Sequence, residues 1–228
     1  MKSYGQFCPM ARAAEVLAER WTLIIVRNLL MGCHTFSEIL EAAPGLPRSL
    51  LSQRLSALER CNIVERGDHP SGRGHAYFLT PVGEELWPVC EAMGVWGTRW
   101  LDIEREHLEP HLVLWDMSKQ IKPEQLPRER VVVRFDLIDR RRKRLWLVLG
   151  PGDTEVCDKN PGFDEDLVVK TDCRSLIQWH MGELSLRKAL TEGAVEISGP
   201  PRLVKRFTTD WQGLSVFAGV ERGGLTYA

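Results

Sequence analysis

Pro44-Gly45-Leu46-Pro47-Arg48-Ser49-Leu50-Leu51-Ser52-Gln53-Arg54-Leu55-Ser56-Ala57-Leu58-Glu59-Arg60 runs into Cys61-Asn62-Ile63-Val64-Glu65-Arg66, a turn-rich tip, and Tyr77-Phe78-Leu79-Thr80-Pro81. Leu51, Leu55 and Leu58 recur at helical spacing and put one apolar stripe on a helix over residues 47–60. The opposite face carries Ser49, Ser52, Gln53, Ser56 and Arg60. Residues 64–66 and 77–79 read as two short strands. Between them lies Gly67-Asp68-His69-Pro70-Ser71-Gly72-Arg73-Gly74-His75, a turn sequence by its glycines and proline.

Working outward, Pro9 suits the first turn of a helix over residues 9–18 with Ala13, Val16 and Leu17 inward. A second helix is expected over residues 20–31, with Trp21, Ile24, Ile25 and Leu29 inward and Gly32 ending it. Thr35-Phe36-Ser37-Glu38 is a capping-box sequence, and the helix it opens stops at Ala43 because Pro44 disfavours helical geometry before it. Thr80 and Pro81 start a long helix expected to reach residue 109, with Leu86, Val89, Cys90, Met93, Trp96, Trp100 and Ile103 inward and kinks at Pro88, Gly94 or Gly97.

Three helices, a polar-faced helix and a hairpin, in that order, are what a winged helix needs to lay one helix in a DNA groove with a wing beside it. Phosphate contacts supply most affinity and groove-facing side chains supply sequence reading. Arg48, Ser49, Ser52, Gln53, Arg54 and Ser56 are the candidate DNA-binding residues of the helix, and Arg73 and His75 those of the wing. The net charge of −1 and pI near 6.6 exclude a global field toward nucleic acid. Between Pro44 and Thr80 five arginines face three acids, so affinity is expected to need a dimer on two half-sites. The competing account of the same residues is a solvated helix with ordinary surface arginines.

Residues 8–101 resemble the HxlR-type winged-helix transcriptional regulators. The resemblance is carried by Cys8-Pro9, Glu19-Arg20-Trp21-Thr22-Leu23-Ile24-Ile25, Phe36-Ser37-Glu38, Leu51-Ser52-Gln53-Arg54-Leu55 and Tyr77-Phe78-Leu79-Thr80-Pro81-Val82-Gly83. It implies a homodimer, paired through the N-terminal helix and the helix after the wing. The partner would be double-stranded DNA, at a two-fold symmetric operator with half-sites on the order of 35 Å apart. One departure stands out: where many relatives place a serine cap before the recognition-helix proline, this chain has Leu46. Cys8, beside Pro9 at a helix N-terminus, has two readings, a redox-responsive thiol and a small hydrophobe packing the dimer interface.

After Pro110 the composition changes, and Pro123 and Pro127 punctuate a linker-like stretch. Residues 131–137 and 144–149 read as strands joined by the basic turn Asp139-Arg140-Arg141-Arg142-Lys143, and two shorter strands follow. Helices are expected over 172–181 and 184–191, a last strand over 194–198, and a terminal helix from Pro200-Pro201. The stretch Leu190 to Gly199 fits an L-x-x-G-x-V-x-I-x-G pattern that resembles the sterol-carrier-protein fold. The resemblance implies an apolar tunnel and a small apolar ligand, for which Phe135, Trp146 and Trp179 are the candidate lining residues.

The fold class is therefore α+β: a winged helix-turn-helix domain over residues 1–108 and a sterol-carrier-like α/β sandwich domain over 109–228. Glu183 and His180 lie close in sequence without a nucleophile at a fitting spacing. Pro110 separates His107 from His111 and no third metal ligand is evident. No catalytic residue, metal or cofactor is expected, and the chain reads as a regulator rather than an enzyme. The alternative is a lipid carrier or enzyme in the C-terminal half, with the winged helix as a dimerisation module. Six scattered cysteines without a C-x-x-C pair suit a reducing compartment. With no apolar leader or membrane-length apolar run, the expected location is the cytoplasm.

Overall fold

A computed structural model describes residues 3–68, 74–139 and 143–223 of the 228. The chain divides into two compact units, residues 1–94 and 95–228.

The first unit begins with α1 (Pro9–Leu17), which buries no residue completely. Upstream, the Ser3 hydroxyl (2.8 Å) and the Tyr4 N–H (2.7 Å) donate to the Glu15 carboxylate and hold its pKa below the usual carboxylate value. Next comes α2 (Thr22–Leu30), which starts two residues later than its sequence suggests, because Trp21 adopts φ +78 as its N-cap. Its inward face is accordingly Thr22, Ile25, Val26, Asn28 and Leu29, while Ile24 is exposed. Buried Asn28 donates to the Ile39 carbonyl (3.1 Å) and accepts from Arg27, which also reaches the Ala42 carbonyl.

The helix α3 (Phe36–Glu41) carries the expected capping box between Thr35 and Glu38, and α4 (Arg48–Arg60) sets Leu51, Leu55 and Leu58 into the core. Strands β1 (Val64–Asp68) and β2 (His75–Leu79) form an antiparallel hairpin. The hairpin is tied back by the Tyr77 N–H to the His34 carbonyl at 2.8 Å.

Thr80 caps α5 (Pro81–Glu84), accepting from the Gly83 N–H (3.2 Å) and donating to the Asn62 carbonyl (2.7 Å). The single long helix expected here is two: α5 ends at Glu84, and α6 (Trp87–Trp100) begins with Pro88 in its first turn. It then runs unbroken through Gly94 and Gly97. Gly83 is required by space rather than by φ, since a Cβ there would overlap the Ile63 carbonyl oxygen. Backbone cannot yield as a flexible side chain can. Gly83→Ala is therefore expected to destabilise the winged helix by about 3 kcal/mol, read as a shift in urea midpoint.

The second unit contains the part of the chain read as linker-like. Residues 110–120 are a helix, α7 (Pro110–Gln120), that buries Val113, Leu114 and Met117. Its apolar residues cover a sheet that the local sequence does not reveal. A 3-10 turn at Pro123–Gln125 follows. Strands β3 (Val131–Leu137), β4 (Lys143–Gly150) and β5 (Asp153–Cys157) form an antiparallel meander. Strand β6 (Leu167–Thr171) then pairs parallel to β3, so a crossover connects them.

Helices α8 (Cys173–His180) and α9 (Leu186–Thr191) precede β7 (Val195–Ser198), antiparallel to β6. The sheet order is β5-β4-β3-β6-β7, and α10 (Pro201–Asp210) closes the fold. The helices cover the sheet face bearing Val133, Phe135, Leu137, Leu145, Leu147 and Leu149. Phe207 of α10 lies 6.3 Å from Phe135 and 6.0 Å from Trp179, ring centre to ring centre. Ile103 and Leu108 pack against the same core.

Two glycines of the Leu190–Gly199 pattern have physical reasons. Gly193 takes φ +71 where α9 turns into β7, and a Cβ on Gly199 (φ +147) would press on the Asp166 carbonyl oxygen.

Candidate nucleic-acid interface

The leucine stripe of α4 faces inward, and so its other side must face out. Arg48, Ser49, Ser52, Gln53 and Ser56 are all exposed there. The helix starts without a side-chain cap; Pro47 is its N-cap residue and Leu46 is buried beneath it. Its first N–H groups are thus left without a side-chain partner, an arrangement that favours a phosphate oxygen. Arg48 lies over the Phe36 ring, guanidinium carbon to ring centre 5.2 Å, which limits where its charge can point. His75 opens β2 at an exposed position opposite Asp68. Arg73 lies outside the described residues, as do residues 140–142 of the basic turn.

Arg54 differs from its neighbours in being only partly exposed. It turns inward, donating to the Glu19 carboxylate (2.9 Å) and the Arg20 carbonyl (3.1 Å). Those contacts brace the turn in which Trp21 takes its left-handed conformation, an arrangement that costs about 1–2 kcal/mol when unsupported. Nothing in the spacing of α4 signals this, because Glu19 and Arg20 belong to another helix pair.

Cys8 is the N-cap residue of α1 and is half-buried. Burial pushes the Cys90 thiol pKa up. At Cys157 burial, reinforced by the Glu155 carboxylate, pushes it to about 11, so that thiol stays protonated at neutral pH.

In the second unit Phe135 and Trp179 are buried in the core, packed through Phe207. Trp146 pairs with Arg134 in register, not with Phe135, and so faces the opposite side of the sheet. There its indole N–H donates to Glu165 (3.3 Å), the main cause holding that carboxyl below the usual range. One pocket lined by all three aromatics is therefore not formed, because strand alternation separates them.

A site missed from sequence is the pair of buried His180 and half-buried Asp116, 2.7 Å apart between Nε2 and Oδ2. The ring's Nδ1 lies 3.0 Å from the Gly213 carbonyl, which can only accept, so Nδ1 carries a proton. The partners stand 64 residues apart, and no local pattern could pair them. His180→Phe removes the ring's contacts with the Asp116 carboxylate and the Gly213 carbonyl. The variant is expected to lose about 2–3 kcal/mol of stability in the second unit, read by near-UV circular dichroism during thermal unfolding.

Among the described residues no group of three or more His, Cys, Asp or Glu is arranged to hold a metal, and no helix is long and apolar enough to cross a membrane.

A leucine-anchored helix with an exposed polar face, a capped helix before it and a hairpin tied behind it define a winged helix-turn-helix of the DNA-binding class. The chain belongs to the HxlR-like helix-turn-helix family, whose model matches residues 16–105, and is a transcriptional regulator with a DNA-binding helix-turn-helix. It is 37% identical over 100 residues to the uncharacterized HTH-type transcriptional regulator YvaP of Bacillus subtilis, covering 43% of this chain and 93% of that one. It is 33% identical over 101 residues to the uncharacterized HTH-type transcriptional regulator sll1512 of Synechocystis sp., covering 44% and 75%. Among solved structures, the reduced form of the transcriptional regulator YodB from B. subtilis matches with 34% identity and a TM-score of 0.36, covering 40% of this chain and 92% of that chain.

Proposed function

We propose that the protein binds DNA as a homodimer, reading a two-fold symmetric operator with Arg48, Ser49, Ser52, Gln53 and Ser56 of α4. Arg73 and His75 would reach from the wing, with Arg54 bracing the helix from behind. The observation that carries this reading is the outer face of α4: five polar side chains, all exposed, on a helix whose other face is locked into the core. The dimer is supported by α1 and α6, neither of which buries a residue. Phe7, Met10, Val89, Met93 and Trp96 stay exposed on or beside them, an apolar surface that a protomer alone leaves in water. Cys8 sits at the start of α1, beside Phe7, and fits this face as a small packing residue.

For residues 109–228 we infer a sterol-carrier-like ligand-sensing domain. The meander of β3, β4 and β5, the crossover to β6 and the glycine-marked approach to β7 support it. A ligand could change DNA binding only by favouring one arrangement of the two recognition helices over another.

The experiment is selection of bound sequences from random duplex DNA by the purified full-length protein at stated salt. Enrichment of a two-fold symmetric site with half-sites about one helical turn apart is the expected result. Recovery of unenriched or strictly asymmetric sequences overturns the dimeric-operator reading.

A further inference from the structure

The second unit carries a cleft of about 380 Å³, within the size range of small-molecule sites. Its apolar lining is Ile103, Leu108 and Ile177. Two arginines also reach it, and their situations differ. Arg222 is neutralised, with Nε 2.7 Å from Glu183, Nη1 3.3 Å from Asp102 and a further bond to the Leu101 carbonyl. Arg174, in the first turn of α8, is exposed. Among the described residues no carboxylate lies within ion-pair distance of it. Glu104, on the same lining, disfavours a second negative charge.

We propose that this cleft binds a compact amphipathic monocarboxylate. Its apolar body lies on Ile103, Leu108 and Ile177, and its carboxylate pairs with Arg174. A guanidinium presents two parallel N–H groups to a carboxylate, which selects a planar anion over a neutral polar group. One negative charge satisfies Arg174, and a dianion would meet Glu104. Asp102 and Ile103 lie two and three residues beyond the end of α6, so the occupant would touch the segment by which that helix leaves the winged helix. The assignment gives a place and a ligand class to the sensing role proposed above, and rests on that reading.

The test uses full-length protein and three probes of one shape: 1-naphthylacetate, its neutral amide, and 1-naphthylmethylamine, titrated by calorimetry. The acetate is expected to bind at least about tenfold more tightly than the amide, the scale of one charge-assisted hydrogen bond. Arg174→Gln, an exposed change that leaves the melting temperature unaltered, should remove that preference. Gln178→Trp, which fills the cleft, should weaken acetate and amide alike. Equal binding of acetate and amide, preference for the amine, no binding of any probe, or an acetate preference that survives Arg174→Gln each overturns the site. Operator affinity measured with saturating acetate separates the two claims. Unchanged affinity with intact charge selection removes the sensing role and leaves the site.

Discussion

Placing two carboxylates on the open face of α6, as Val89→Glu with Met93→Glu, is expected to turn the proposed dimer into a monomer and to abolish tight operator binding. Both residues are exposed in the protomer, at 40% and 56% of their surface. They stand one helical turn apart on one side of α6. Charging them therefore disturbs no core, and the far-ultraviolet spectrum of the variant should match the parent. At a two-fold interface each substitution is repeated by symmetry, so four carboxylates would meet across the axis and repel without compensation. A dimer holding one half-site presents its second recognition helix at high local concentration, an advantage on the order of 10²–10⁴-fold. The monomer forfeits it. Sedimentation gives the mass and a gel-shift titration gives the affinity. A variant that remains dimeric moves the interface elsewhere. One that becomes monomeric yet binds the operator as tightly as the parent separates DNA reading from dimerisation.

Arg48→Ala and Gln53→Ala should each weaken operator binding by about 1–3 kcal/mol if they read bases, and the two should fail in different ways. Arg48 lies at the uncapped helix start, where phosphate is favoured. Its loss should lower affinity for all sequences and reduce the salt slope by about one. Gln53 lies mid-helix on the exposed face, where an amide can pair bidentately with adenine; its loss should relax specificity at one position in each half-site. Arg54→Ala is the internal contrast. Its guanidinium is engaged with Glu19 and the Arg20 carbonyl, and the expected loss is in thermal stability, with base preference unchanged. Wild-type affinity in both Arg48→Ala and Gln53→Ala would remove α4 from the interface.

Much of the winged helix is legible locally because each of its elements announces itself locally. Thr35 with Glu38, and Thr80 with Pro81, are caps whose hydrogen bonds close within three residues. The 51/55/58 stripe specifies which side of α4 is inside. The hairpin needs no more than two short apolar runs and a turn between them.

The misses share a cause of another kind. α6 reads as a core helix because its stripe of Val89, Met93 and Trp96 looks like any buried stripe, and apolar periodicity does not say whose core it belongs to. α7 is passed over because its apolar residues serve a sheet that lies later in the chain. A helix starting at residue 20 would turn Ile24 inward. The left-handed turn at Trp21 delays the helix to Thr22 and moves the buried face to 22, 25, 26 and 29.

The sequence by itself therefore determined the order of elements, the caps, and the polar helix face on which DNA reading rests, since these depend on interactions between residues a few positions apart. Tertiary structure alone decided the rest. It turned Arg54 inward, placed Trp146 on the sheet face opposite Phe135, brought His180 to Asp116 across 64 residues, and set Arg174 at the rim of a cleft. Each of those outcomes depends on which distant segments become neighbours, and a side chain's chemistry is completed only by the groups that packing sets beside it.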